Sequence, residues 1–371
     1  MFLKNLRLLQ FKNYPKAELE FSPEINCLVG RNGSGKTNLL DAIHYLCLTK
    51  SAFQSMDNLN VIHGGEFFTL SGEFDLEGKN WEIRMVVENG KKKQLLRQGK
   101  AVEKMSEHVG LLPIVLIAPD DTMLIKDGSE ERRRFFDGMI CQVNHEYLDN
   151  LMRYQHFLKQ RNALLKQFAE RGSWKPSYLE PYDKEIISLS KYIALVRRDF
   201  LVEFEPKLRE YYRYISDAQE PVGVSYETEC LDGSLEERFH QCLQKDIATR
   251  RTNMGIHKDD FLFLIDDFPI KKFGSQGQQK SYVIALKLAQ FQILHQQKAT
   301  KPLLLLDDIF DKLDDKRIGK LMELVADHQF GQLFITDARP ERSKEIFNSI
   351  GVEKRLFTVY NGEISMLLLP S

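Results

Sequence analysis

The sequence predicts an α/β fold with a mainly helical second lobe inserted in mid-chain, on three observations. A glycine-rich loop, Gly30-Arg31-Asn32-Gly33-Ser34-Gly35-Lys36-Thr37, lies between an apolar strand, Ile25–Val29, and a helical pattern from Asn38 to Leu46. From about Glu130 to about Tyr214 the pattern is helical throughout. An apolar run, Leu303-Leu304-Leu305-Leu306, then ends in Asp307 and Asp308, as a buried parallel strand does when it presents carboxylates at its C-terminal end. The 371 residues allow two to three domains, or one with a large insertion. The expected division is an α/β lobe made of residues 1–121 and 251–371, interrupted by a helical lobe at 122–250.

The loop fits Gly-x-x-x-x-Gly-Lys-Thr. Its glycines let backbone N–H groups turn inward around the α- and β-phosphates of a nucleotide, Lys36 reaches the β/γ oxygens, and the Thr37 hydroxyl ligates Mg²⁺. A chance match in a chain of this length is on the order of one per cent. The strand before it and the helix after it are the geometry the loop requires, and the helix N-terminus adds partial positive charge. Nucleotide binding is therefore expected at Gly30, Arg31, Asn32, Gly33, Ser34, Gly35, Lys36 and Thr37.

Composition narrows the class. Hydrophobic residues make up 43% and charged residues 28%, the balance of an ordinary globular protein. The formal net charge is −1, so affinity for nucleic acid has to come from local patches. Cys27, Cys47, Cys141, Cys230 and Cys242 form no Cys-x-x-Cys pair, which argues against zinc and against a disulfide framework. The N-terminus breaks its apolar residues with charge, unlike a signal peptide, and no apolar run reaches the ~20 residues of a membrane helix. A soluble cytoplasmic protein with no membrane partner is expected.

In chain order, Leu6–Phe11 and the alternating Ala17–Phe21 read as strands before the loop. Phe67–Phe74 and Trp81–Val87 read as a hairpin across the Glu77-Gly78-Lys79-Asn80 turn, and Leu111–Ala118 as a buried strand. Leu151, Tyr154, Leu158, Leu165 and Phe168 lie on one helix face. Ile186, Leu189, Ile193, Val196 and Phe200 lie on another, beyond Gly172-Ser173-Trp174-Lys175-Pro176. Both helices are too short for a long coiled coil. Strands return at Val222–Tyr226 and Phe261–Ile265.

Asp307 is expected to hold the metal's water shell, and Asp308 sits where a carboxylate polarises an attacking water. Upstream, Gly274-Ser275-Gln276-Gly277-Gln278-Gln279-Lys280 opens a helix with Tyr282, Val283, Leu286, Ala289 and Ile293 at helical spacing. Ser and Gly before free helix N–H groups make a second anion site, although a lone Ser-x-Gly-Gln is more often a plain cap. Its place about thirty residues before Asp307 follows the order of ABC-type ATPases. There this signature binds the γ-phosphate of ATP held by the opposite subunit, which assigns Ser275, Gly277 and Gln278 to the nucleotide.

The ordered set resembles the RecF family, bacterial recombination-repair ATPases related to the heads of SMC and Rad50 proteins. The residues that carry the resemblance are Leu9–Tyr14, the loop continuing to Ile43, Ser129–Asp137, Gly255–Asp260, Gly274–Lys280 and Leu306–Asp314. The resemblance implies a two-lobed ABC-type P-loop ATPase head without a long coiled coil. It also implies an ATP-dependent homodimer on single-strand/double-strand DNA junctions, working with RecO and RecR to place RecA on gapped DNA. Lys258 stands where the family usually has Arg, Asp41 where it has Glu, and Asp311 where a small polar residue is usual. Asp337 falls where many ABC ATPases carry a γ-phosphate-sensing His. Asp308 is one methylene shorter than the Glu of fast ABC ATPases, which predicts weak hydrolysis. His257 is either a structural histidine or a support of the site.

Two basic stretches stand out: residues 91–100, with Lys91, Lys92, Lys93, Arg97 and Lys100 and no acid, and residues 151–200, with ten Lys/Arg against five Asp/Glu. Such runs are usually solvated faces. An ABC transporter's ATP-binding subunit is the alternative, but the 271 positions from Lys36 to Asp307 (307 − 36) exceed what such a subunit needs. A small-molecule P-loop kinase leaves the Ser275 segment without a role, and a GTPase lacks an Asn-Lys-x-Asp segment.

Overall fold

The computed structural model describes residues 1–171, 175–217, 220–311, 313–348, 351 and 353–367. Trp174 and Lys312, and the side chain of Asp311, lie outside the described residues. The chain forms two compact units, one of Met1–Asp121, Arg213–Asp217 and Lys280–Ser371, the other of Thr122–Tyr212 and Ala218–Gln279.

The first unit is built on two sheets. The central one runs Glu363–Leu367, Lys354–Tyr360, Ile25–Val29, Leu333–Asp337, Leu303–Leu306, Ile114–Ile117 from edge to edge. Every pairing is parallel except that of the two strands at the Glu363–Leu367 edge. All residues of Ile25–Val29, Leu303–Leu306 and Leu333–Asp337 are buried, which explains their continuous apolar runs. Of the strand expected at Leu111–Ala118, only Ile114–Ile117 is in the ladder.

The second sheet is antiparallel, in the order Tyr14–Glu20, Phe2–Phe11, Phe67–Leu76, Lys79–Glu88, Gln94–Arg97, Lys100–Ala101. Helix Lys36–Leu48 joins the two sheets into one core, its Leu39, Leu40, Ile43 and Leu46 packing with Phe68, Leu70 and Met85 as well as Leu28 and Phe334. Helix Gln276–Lys298 is not the one-sided helix that its spacing suggests, because residues 281–290 are all buried. A helix surrounded on every side needs partners for its polar groups. Ser281 Oγ accepts from Arg317 Nε at 2.8 Å, and Lys287 Nζ pairs with Asp121 at 2.7 Å.

The second unit contains helices Ser129–Val143 and His145–Arg171, all but the last turn of helix Glu180–Ser216, and a sheet ordered Phe268–Pro269, Asp260–Ile265, Val222–Glu227. The first two helices, which the periodicity runs together, are broken at Asn144. It takes an extended φ of −130° and accepts from Tyr147 N through Oδ1 at 2.9 Å, capping the second. Phe136 ties helix to sheet, stacked on Phe261 at 4.2 Å and edge-on to Phe204 at 5.2 Å. Glu180–Ser216 is 37 residues long and continues through Pro206, which removes one helix hydrogen bond at the exposed Val202 turn. No helix among the described residues is long and apolar enough to cross a membrane.

Candidate functional site

Strand Ile25–Val29 runs straight into the glycine loop, and the loop ends at the first turn of helix Lys36–Leu48. Two glycines are required by geometry. Gly35 has φ +117°, and a Cβ there would lie 2.4 Å from Asn13 Nδ2; a Cβ on Gly30 would lie 2.2 Å from Val359 O. The loop is braced from the turn between the first two strands: Tyr14 Oη donates to Gly35 O at 2.9 Å and Asn13 Nδ2 to Ser34 O at 3.1 Å. Asn38 Nδ2 in turn donates to Asn13 Oδ1 at 2.7 Å.

Lys36 is buried, and its ammonium donates to the carbonyls of Gly30 at 2.7 Å and Arg31 at 3.1 Å, arched over the loop where a β/γ-phosphate is expected. Thr37 Oγ1 lies 2.9 and 3.0 Å from the two carboxylate oxygens of Asp307. Thr336 Oγ1 also donates to Asp307, at 2.8 Å, and accepts from Asp308 N at 2.8 Å, so one threonine of the neighbouring strand sets both acids. Burial raises the Asp307 carboxyl above its ordinary value, and the adjacent Asp308 adds to this; the bonds from Thr336 and Thr37 act against it.

Asp308 has φ +46°, the left-handed region uncommon for non-glycine residues, and its Oδ1 is buried without a hydrogen-bond partner. Such a group at the mouth of a cleft is suited to accept a proton from water. The cleft measures 250 Å³ and is lined by Asn32, Gly33, Gly35, Lys36, Thr37, Asn38, Pro119, Asp307 and Asp308. Gly30, Arg31 and Ser34 form the loop behind this lining. The Thr37 hydroxyl and the Asp307 carboxylate are a hard-oxygen pair of the kind that takes Mg²⁺. That ion binds through one or two protein groups plus substrate phosphates, so no larger acid cluster is needed.

Asp337, at the position of the switch His, serves another purpose. Its fully buried carboxylate accepts from Arg342, from Ser343 Oγ at 2.6 Å and from Arg339 N at 3.0 Å, and its own carbonyl accepts from Gly30 N at 3.2 Å. Asp337 therefore anchors the strand end to the first glycine of the loop.

Ser275, Gly277 and Gln278 are not part of the cleft lining. Ser275 is exposed; its hydroxyl accepts from Gln278 N at 3.2 Å while Gln278 Oε1 accepts from Ser275 N at 2.8 Å. The plain cap that the sequence offers here is a reciprocal capping box, of which Ser-x-x-Gln is the pattern. Ser275 and Gln276 are exposed at this helix start, and Gln278 Nε2 donates to Glu220 Oε1 at 3.0 Å.

The family segments Ser129–Asp137 and Gly255–Asp260 meet inside the second unit. Arg132 grips Asp260 with two bonds of 2.8 Å, and Arg133 Nη1 donates to Asp259 O at 2.6 Å. Arg197, buried to 1%, bridges Asp137 and Asp259. Arg161, also buried, bridges Asp183 and Asp246 at 2.6 Å each. Two of the ten cations of the 151–200 stretch are thus internal ties, not part of a solvated face. In the 91–100 stretch, Lys93 pairs with Asp57 and Lys91 with Glu88.

His257 is structural. Its Nδ1 meets Tyr154 Oη at 2.6 Å and its Nε2 meets Thr252 O at 3.0 Å, and burial lowers its pKa to about 4. A histidine that stays neutral when folded but protonates near 6.5 when unfolded makes stability fall as pH drops from 6.5 towards 4. The loss between pH 7 and pH 5 is about 2 kcal/mol. Urea unfolding at the two pH values should show a smaller loss in His257→Gln; equal losses would assign the acid sensitivity to other groups.

Comparison with known proteins agrees with this geometry. Residues 2–359 match the model of the RecF/RecN/SMC N terminal domain family. The chain is 46% identical to the DNA replication and repair protein RecF of Cytophaga hutchinsonii, covering 98% of this chain and 96% of that one. It is 44% identical to the same protein of Flavobacterium johnsoniae, over 97% and 100%. A solved structure of the recombination mediator protein RecF-ATPrS in the RecFOR pathway superposes with a TM-score of 0.89 at 28% identity, covering 99% and 98% of the two chains. The Smc head bound to the C-winged helix domain of ScpA shares the fold, with a TM-score of 0.58 at 15% identity over 99% and 97%. With the phosphate loop, the paired acids and the signature segment on an ABC-type ATPase head, the chain belongs to the RecF family.

Proposed function

We propose that this chain is an ATP-dependent DNA-binding ATPase of DNA replication and recombinational repair, acting in the cytoplasm. In this reading ATP and Mg²⁺ occupy the 250 Å³ cleft, and two copies close on ATP at single-strand/double-strand junctions. RecO and RecR are its partners in loading RecA on gapped DNA. The observation that carries the reading is the orphaned Asp308 Oδ1 beside the Thr37–Asp307 pair, in a cleft walled by a phosphate loop. The relatives' role in DNA replication and repair, and the ATP-bound recombination mediator of the RecFOR pathway, support the biological side.

The division of labour follows from position. Loop N–H groups beyond Gly30, whose own N–H is tied to Asp337 O, would hold the phosphates together with the Lys36 ammonium, and Thr37 and Asp307 would hold Mg²⁺, which neutralises phosphate charge. Asp308 takes the proton of the attacking water. Hydrolysis is weak, because Asp308 is a short carboxylate and Asp337, tied to Arg342 and Ser343, is not free to sense the γ-phosphate.

The exposed Ser275 at this helix start would meet the γ-phosphate of a partner's nucleotide. ATP should then give a dimer and ADP a monomer, since only ATP differs in affinity between the two states. Ser275→Arg fills that second half-site while leaving Lys36 and Thr37 in place, so the variant should bind ATP and remain monomeric. Sedimentation of both proteins with ATP, ADP or neither decides the matter. A dimer without ATP, or an unimpaired variant, defeats the sandwich.

A further inference from the structure

One face of the second unit gathers cations, five of which are in no ion pair among the described residues. On helix His145–Arg171, Gln155, Lys159, Asn162 and Lys166 recur at i, i+4, i+7 and i+11, a single stripe. With Leu158 and Ala163 they line an open groove of 550 Å³, and Glu170 ends the stripe one turn on. Asn162, at its centre, accepts through Oδ1 from Thr252 N at 2.7 Å and Thr252 Oγ1 at 2.8 Å. That fastens the segment bearing Arg251 to the groove's edge.

The same segment is held from behind. Asn253 donates to Asp246 Oδ1 from both its N and its Nδ2, at 2.9 Å each, while Asp246 Oδ2 accepts from Arg161. The nearby acids Asp183 and Asp246 are thus buried and already paired with Arg161. Lys245, from helix Leu243–Thr249, and Lys258 are exposed like Arg251, and Arg133 reaches this region through its bond to Asp259 O. Among the described residues, Lys159, Lys166, Lys245, Arg251 and Lys258 are in no ion pair. The Lys258 ammonium lies below the ordinary lysine value, from partial burial first and then from the charges of Arg251, Arg133 and Lys245, with Asp246 acting against them. The four cations therefore share one neighbourhood.

We propose that this surface, with Lys159 and Lys166 in the groove and Lys245, Arg251, Lys258 and Arg133 beside it, grips the phosphate backbone of duplex DNA; the proposal rests on the DNA-binding function inferred above. Backbone contacts are made by Lys and Arg together with amide side chains, which is what the groove offers. Single strands are held by aromatic platforms, and the groove lining contains none; the neighbouring Tyr154 ring is buried, with its hydroxyl on His257.

The test uses the full chain with ATP and a labelled blunt duplex or a single strand of equal length, followed by fluorescence anisotropy at 50 and 200 mM salt. Lys166→Ala/Arg251→Ala removes two phosphate contacts, which lowers the salt slope by about 1.8. Wild type should therefore bind the duplex more tightly than the variant at 50 mM, and that advantage should shrink about tenfold by 200 mM. Single-strand binding should change little, and Lys91→Ala/Lys92→Ala, which removes equal charge from the first unit, should leave duplex affinity intact.

Unchanged duplex affinity and slope in Lys166→Ala/Arg251→Ala overturns the placement, as does an equal loss in Lys91→Ala/Lys92→Ala. Unchanged duplex binding with weakened binding of poly-glutamate also overturns it, reassigning the surface to an acidic protein. Wild type that fails to bind any duplex sinks the DNA function itself, a result distinguishable from misplacement.

Discussion

Lys36→Ala is expected to weaken ATP binding about a hundredfold, on the order of 3 kcal/mol. The ammonium is the cation of the cleft lining, and it is buried, so the contact it offers a phosphate is charge-assisted and poorly screened. Its bonds to Gly30 O and Arg31 O also shape the loop, and the variant leaves those carbonyls without this donor. The brace from Tyr14 and Asn13 acts on Gly35 and Ser34 and is untouched, so the fold should persist. Equilibrium dialysis, with thermal unfolding as the control for folding, measures the effect. Unchanged affinity in a folded variant would mean that the glycine loop is not the phosphate site.

Asp308→Asn should separate binding from turnover. Asn is isosteric and, with Asp, among the residues that best tolerate positive φ, so the backbone at +46° and the bond from residue 308 N to Thr336 Oγ1 survive. What is lost is the basic oxygen. Removing a positioned general base costs about 10²–10⁴ in rate, which from a slow starting rate is effective abolition. ATP affinity should stay near wild type, because Lys36, Thr37 and Asp307 are unaffected. Phosphate release by the variant at the wild-type rate would remove Asp308 from the mechanism.

Much of the site is local in sequence and therefore legible there. Gly30 to Thr37 is one continuous loop whose glycines answer to φ and close approach, and the Leu303–Asp308 run shows both a buried strand and what it delivers. The brace of that loop is not local. Asn13 and Tyr14 are 21 positions from their partners, in the turn and the second strand of a different sheet, and nothing in Phe-Lys-Asn-Tyr marks them as its support. Thr336 is similar: an ordinary strand residue until the parallel register sets Asp307 and Asp308 beside it.

By itself the sequence determined the α/β class and pointed to the glycine loop, the acid pair and the Ser275 segment as the site, because each depends on neighbours within a few residues and on the periodicity of one element. Only the tertiary structure decided which charges are ties and which are surface. Arg161 and Arg197 look like Lys159 and Lys166 in a list of cations, yet their partners Asp246, Asp137 and Asp259 are 85, 60 and 62 positions away and become neighbours only on folding. An arginine is buried where carboxylates meet it, and that meeting is a property of the packed chain.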